Sequence, residues 1–242
     1  YATGDSVTTG YCNTLMGSTC GQAITTGANN TAMGQDTLKY TTTGTANTGI
    51  GQAAANAITT GANNTAMGAS ALKMLTTASG NVAIGTQAGH SRTTGADGVF
   101  IGHSAGYYQM GGGVVAIGYE AMQGSNSNDT NTSSVAIGYR AGYKLSSGNN
   151  NVAVGYQALY NQTTQENDTA VGRNALTTAT NAGYQRTAVG SHASEMLTGA
   201  TYTTTVGHAA GRYTTGSNNT FMGWSAGLGA SGASGGYSNT GI

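Results

Sequence analysis

One phrase recurs along the whole chain and limits what it can fold into: Asn-Thr/Val-Ala-Ile/Met/Val-Gly-x-x-Ala-Leu/Gly. It reads NTAMGASAL, NVAIGTQAG, SVAIGYRAG, NVAVGYQAL and DTAVGRNAL at successive places. Its Gly falls at 17, 34, 51, 68, 85, 102, 118, 138, 155, 172, 190, 207 and 223, so the period is 17 with small insertions. A second Gly often follows ten residues later, as at Gly27, Gly44, Gly61, Gly95 and Gly148, usually behind a Thr-Thr or Ser-Ser pair. Each period therefore holds two turns and two short β-prone runs. That is too little chain for a helix-bearing repeat, and it matches one coil of a β-solenoid. Glycines at every turn with β-branched residues between them also disfavour helix throughout. The expected fold is all-β, a parallel β-solenoid of about fourteen coils running as one array over residues 1–242, a rod on the order of 65 Å at ~4.8 Å per coil.

The residue before each repeat Gly is always apolar: Met16, Met33, Ile50, Met67, Ile84, Ile101, Ile117, Ile137, Val154, Val171, Val189, Val206 and Met222. A strand alternates its faces, so this residue and the Thr or Val two before it share one face, and the Ala between them takes the other. The Val/Ile/Met column is expected to be the inside of the coil. Three residues after the Gly stands a uniformly small column, Cys20, Thr37 and then Ala from Ala54 to Ala226. A coil this thin buries little surface for its ordering cost. The Ala columns around the Gly are what close packing between neighbouring chains requires, and association of three chains is expected. Asn opens the phrase at Asn13, Asn30, Asn47, Asn64, Asn81, Asn151, Asn219 and Asn239, a residue type that bonds local backbone and is read as stacking the turns. The triplets at Asn29, Asn63 and Asn218 also fit the glycosylation sequon, although the repeat accounts for them.

Composition removes several function classes. The chain has 41 Gly, no Pro and only 7% charged residues, with net charge zero, so no basic stripe exists to neutralise phosphates, and nucleic acid is not an expected partner. Eight acidic residues cannot line a series of calcium sites, and neither the calcium nonapeptide nor GxxxxGK[ST] occurs. No metal or cofactor is expected, and the scarcity of titratable groups argues against an enzyme. No apolar run is long enough to insert in a membrane. Two cysteines, Cys12 and Cys20, are too few for a disulfide scaffold.

Directly after the repeat Gly, one column reads His103, Tyr119, Tyr139, Tyr156, Arg173, and later His208 and Trp224. Aromatic and Arg side chains are the usual anchors of interfaces, so this ladder is the candidate contact strip for a glycan or protein receptor. Stacking of like residues between coils is the competing explanation. Glu120 and Arg140, one column further on adjacent coils, are placed to pair.

The phrases SVAIG and NVAVG, with Ala three residues on, resemble the YadA-like head repeats of trimeric autotransporter adhesins, and similar NTAxGxxAL arrays occur in bacteriophage tail fibres. The resemblance covers essentially the whole chain. It implies a left-handed parallel β-roll, three chains side by side, acting in attachment at a cell surface or as a virion fibre, outside the cell. Family coils are usually shorter than seventeen residues. The chain starts and stops in mid-repeat, which reads as an interior slice of a longer array. Two further functions fit a solenoid: a self-assembling extracellular filament, and an ice-binding surface suggested by Thr pairs at 25, 42, 59, 76 and 93.

Overall fold

A computed structural model of the chain describes residues 3–125, 129–178, 184–229 and 238–242. It is a parallel β-solenoid of about twelve to fourteen turns with a period near seventeen residues, and no helix occurs among the described residues. The chain forms two compact units. The first, Tyr1–Ile117 with Asn126–Asp129, carries strands β1 (Thr14–Met16), β2 (Thr31–Met33), β3 (Thr48–Ile50), β4 (Thr65–Met67), β5 (Val82–Ile84), β6 (Val99–Ile101) and β7 (Val115–Ile117). The second, Gly118–Ser125 with Thr130–Ile242, carries β8 (Val135–Ile137), β9 (Val152–Val154), β10 (Thr169–Val171), β11 (Thr187–Val189), β12 (Thr204–Val206), β13 (Thr220–Met222) and β14 (Thr240–Gly241). Within each unit every strand pairs in parallel with the next in chain order, and equivalent repeat positions stand opposite each other, as Thr31 does to Thr48 and Val152 to Thr169.

The strands point the other way from the expectation. The residue in the middle of each strand, from Ala32 through Ala66, Ala83, Ala136, Ala153 and Ala170 to Phe221, is buried inside the coil. The column Met16, Met33, Ile50, Met67, Ile84, Ile101, Ile117, Ile137, Val154, Val171, Val189, Val206 and Met222 lies on the outer face instead, each member partly or well exposed, reaching 57% at Met16. The small column three after the Gly, expected between chains, fills the coil: Cys20, Thr37 and every Ala from Ala54 to Ala210 are buried. The physical reason is width. A coil of this length closes over a narrow space, which Leu38, Leu72, Leu159 and Leu176, four after the Gly, share with Ile24, Ile58, Leu75 and Leu145, seven after it. Only a methyl group fits opposite them.

In three coils a large mid-strand residue is matched by a Gly across the interior. Where the mid-strand residue is large, the position four after the Gly is itself Gly: Leu15 with Gly21, Phe100 with Gly106, Phe221 with Gly227. A Cβ on Gly106 would sit 2.0 Å from the Phe100 ring, and one on Gly227 2.3 Å from Phe221. This is the trade of one side chain for another that close packing demands.

Many polar groups inside the coil are paired along it. The buried Asn30, Asn47, Asn64 and Asn81 form a ladder in which each side-chain oxygen accepts the backbone N–H of the next ladder residue. Each amide nitrogen donates to a carbonyl of the same turn on the following coil, Asn30 to Gly44 at 2.9 Å and Asn47 to Gly61 at 2.8 Å. The turn-stacking role read from the sequence is thus met by two bonds per coil. Further along, the ladder passes through Asp168 and Arg186, which form a buried ion pair; Gln162 accepts a second bond from the Arg186 guanidinium at 3.1 Å. Arg92 is likewise buried and donates to the carbonyls of Gly95, Gln109 and Ala96.

Candidate recognition surface

After each repeat Gly the chain bends into an arc of six residues that is hydrogen-bonded but is not a strand. Its second and fourth residues take left-handed backbone, as at Arg140 (φ 52) and Gly142 (φ 58). That turns alternate N–H groups up and down the solenoid: Arg140 donates to the Tyr119 carbonyl at 2.9 Å, and Gly142 to the Ala158 carbonyl at 2.8 Å on the following coil. A non-Gly residue in this conformation costs ~1–2 kcal/mol, a penalty the interlocked coils overcome. The arc is therefore a rigid wall of side chains repeating once per coil.

Nearly everything chemically distinctive in the chain sits on that wall. All four histidines, His90, His103, His192 and His208, are there, as is Trp224. Every Lys and Arg except the buried Arg92 and Arg186 is there too: Lys39, Lys73, Arg140, Lys144, Arg173 and Arg212. The opposite turn carries mostly Thr, Gly, Ala, Ser and Asn, with Tyr11, Asp97, Glu166, Tyr184 and Tyr202 among them. The first Thr of its pairs is spent within the array, Thr25 donating to the Thr42 carbonyl and Thr42 to Thr59 at 3.1 and 3.2 Å.

The ladder read from the sequence is formed in part. His103 is exposed and belongs to the first unit; Tyr119, Tyr139, Tyr156, Arg173, His208 and Trp224 belong to the second. Tyr119, Tyr139 and Tyr156 stack with ring centroids 5.3 Å apart and planes within 8°. The Arg173 guanidinium covers the next face, 5.9 Å from the Tyr156 ring centre. His208 and Trp224 stack as a separate pair at 6.2 Å, and Trp224 is 80% exposed. Near them Glu195 holds both His192, at 3.0 Å, and Arg212, at 2.6 Å.

A second rail five residues after the Gly escaped the sequence reading. Tyr143 and Tyr160 stack at 5.0 Å, and His90 stacks on Tyr107 at 4.8 Å. The signal was present, since Tyr143 and Tyr160 stand seventeen apart like Tyr139 and Tyr156. Arg140 joins the two rails, its guanidinium 5.3 Å from the Tyr139 ring centre and 5.2 Å from Tyr143. The expected pair with Glu120 forms at 2.7 Å, and that bond holds the guanidinium firmly in its charged form. Burial lowers the His90 pKa, with Lys73 adding a smaller push in the same direction.

Among the described residues no group of three or more His, Cys, Asp or Glu is placed to hold a metal ion. Comparison of the chain with protein-family models and with curated proteins finds no match to either.

Proposed function

We propose that this chain is a segment of an extracellular attachment fibre, a left-handed roll in which three copies lie side by side, at a cell surface or on a virion. The observation that carries the proposal is the apolar column on the outside of the coils of each unit. Seven of its members, Met16, Met33, Met67, Ile84, Ile137, Val171 and Met222, expose 36–57% of their surface. Covering that remainder is worth roughly 0.5–1.5 kcal/mol each, on the order of 5 kcal/mol per chain. Association costs ~4–15 kcal/mol, so the seam closes only when many members of the column engage together, with Ile50, Ile101, Ile117, Val154, Val189 and Val206 contributing. The Val residues that share this face, Val82, Val99, Val115, Val135 and Val152, widen it at the middle strands.

The recognition wall lies on a different part of the coil and is left free to meet a receptor. Its Tyr, Arg, His and Trp content is that of an interface core. An ice-binding role has less support, because one hydroxyl of the Thr pairs, as at Thr25 and Thr42, bonds to backbone and is lost to a flat Thr array. The test is the native mass by light scattering with negative-stain images. Three times the chain mass of 24.0 kDa in a short particle is the expected result. A stable monomer refutes the trimer, and fibres of unlimited length point to a self-assembling filament.

A further inference from the structure

We infer that the double rail in the second unit binds an acidic polysaccharide, a chain of sugars bearing carboxylate or sulfate groups; the inference rests on the attachment reading above. Ring stacking determines what the rail can read. Tyr139 has Tyr119 on one face and Tyr156 on the other, and the second face of Tyr156 is taken by Arg173. Tyr143 stacks on Tyr160 and meets the Arg140 guanidinium. Sugars and nucleobases that dock by stacking need an open aromatic face, and both faces of Tyr139 and Tyr156 are occupied. Tyr139 and Tyr156 keep 40% and 46% of their surface exposed although both ring faces are covered, which leaves their edges to a partner. The wall therefore offers a polar row at a pitch near 5 Å, suited to a partner rich in hydroxyls.

Charge selects among such partners. Arg140 is neutralised by Glu120, but Arg173 and Lys144 have no acidic partner within 4.0 Å among the described residues. Two free cations flanking a row of phenol edges complement a linear ligand with both hydroxyls and anionic groups.

The experiment measures binding of the native assembly to heparin (sulfated), polygalacturonate (carboxylated), dextran (neutral) and an oligothymidylate, by biolayer interferometry over a salt series. Heparin or polygalacturonate should bind, and whichever is tighter identifies the anion; salt should weaken the binding, and dextran should not bind. Arg173→Gln and Lys144→Gln should each lower affinity roughly tenfold, the loss of one charge-assisted bond. Tyr156→Phe should lower it less, since the stack survives. Lys39→Gln, already paired with Asp36 on the first unit, should leave affinity unchanged. Equal binding to dextran, wild-type affinity in both cation variants, or tighter binding of oligothymidylate overturns the inference. Adhesion to whole cells is measured in parallel. A chain that adheres yet ignores both polyanions overturns this inference and leaves the attachment reading standing; one that binds polyanions but no cell removes the attachment reading alone.

Discussion

Two glycines with left-handed backbone separate conformational strain from crowding within one chain. Gly155 has φ +131, and a Cβ there would lie 2.5 Å from the Gly172 carbonyl oxygen and 2.7 Å from its carbon. Gly199 has φ +66 and nothing within 4 Å of the same point. In Gly199→Ala only the left-handed conformation is penalised, about 1 kcal/mol. In Gly155→Ala the backbone lies in a region that essentially only Gly occupies, ~1–3 kcal/mol, and the methyl overlaps main chain, ~1–3 kcal/mol more. The neighbouring coil cannot step aside, because Gly172 donates to Val154 and Asn174 to Tyr156, both at 2.8 Å. The expected difference between the two variants is about 3 kcal/mol. A repeat array need not unfold in one step, so the assay is amide hydrogen exchange read coil by coil. Amides of Gly172 and Asn174 should exchange about a hundredfold faster in Gly155→Ala than in Gly199→Ala. Equal protection in the two variants would refute the claim that main-chain contact between coils, and not φ alone, requires Gly in this column.

Three further expectations follow from buried and half-buried groups. Asp168→Asn alone strands the buried Arg186 charge and should destabilise by ~3–5 kcal/mol, whereas Asp168→Asn with Arg186→Asn restores the Asn ladder and should recover most of the loss in denaturant unfolding. His90 has a folded pKa below the usual value of about 6.5, so as the pH falls through that value the unfolded chain takes up the proton first and stability drops until the folded pKa is reached. His90→Phe, which keeps the stack on Tyr107, should flatten this part of the stability–pH curve. Cys12 is exposed, while Cys20 is buried, donates to the Ala32 carbonyl at 3.2 Å and has its thiol pKa raised by burial. A thiol reagent should therefore label one cysteine in the native protein and both after denaturation.

The period, the strand positions and the turns were legible because Gly and β-branched residues act locally, each marking its own backbone. The direction of the strands was not. Alternation tells that Ile137 and Ala136 lie on opposite faces but not which face is inside, and the rule that large apolar residues go in misleads when the interior is narrow. A better signal was the exchange between columns: Phe100 with Gly106 and Phe221 with Gly227 reveal that mid-strand and arc residues share one volume. The ladder at Tyr119, Tyr139 and Tyr156 was visible from spacing. The clamp by Arg140, which depends on left-handed turns at the second and fourth arc residues, needed coordinates.

The outer apolar column can be tested through its methionines, because the chain carries its own controls. Met67 of the column and Met74 of the recognition wall are 38% and 45% exposed in a single chain, and Met33 and Met196 compare in the same way at 39% and 44%. In an isolated chain a peroxide should convert all four to sulfoxide at similar rates. Peroxide footprinting of the native particle, read by peptide mass, should show Met33 and Met67 protected while Met74 and Met196 oxidise. Equal oxidation of the two sets would leave the column facing water and contradict its role as the seam between chains.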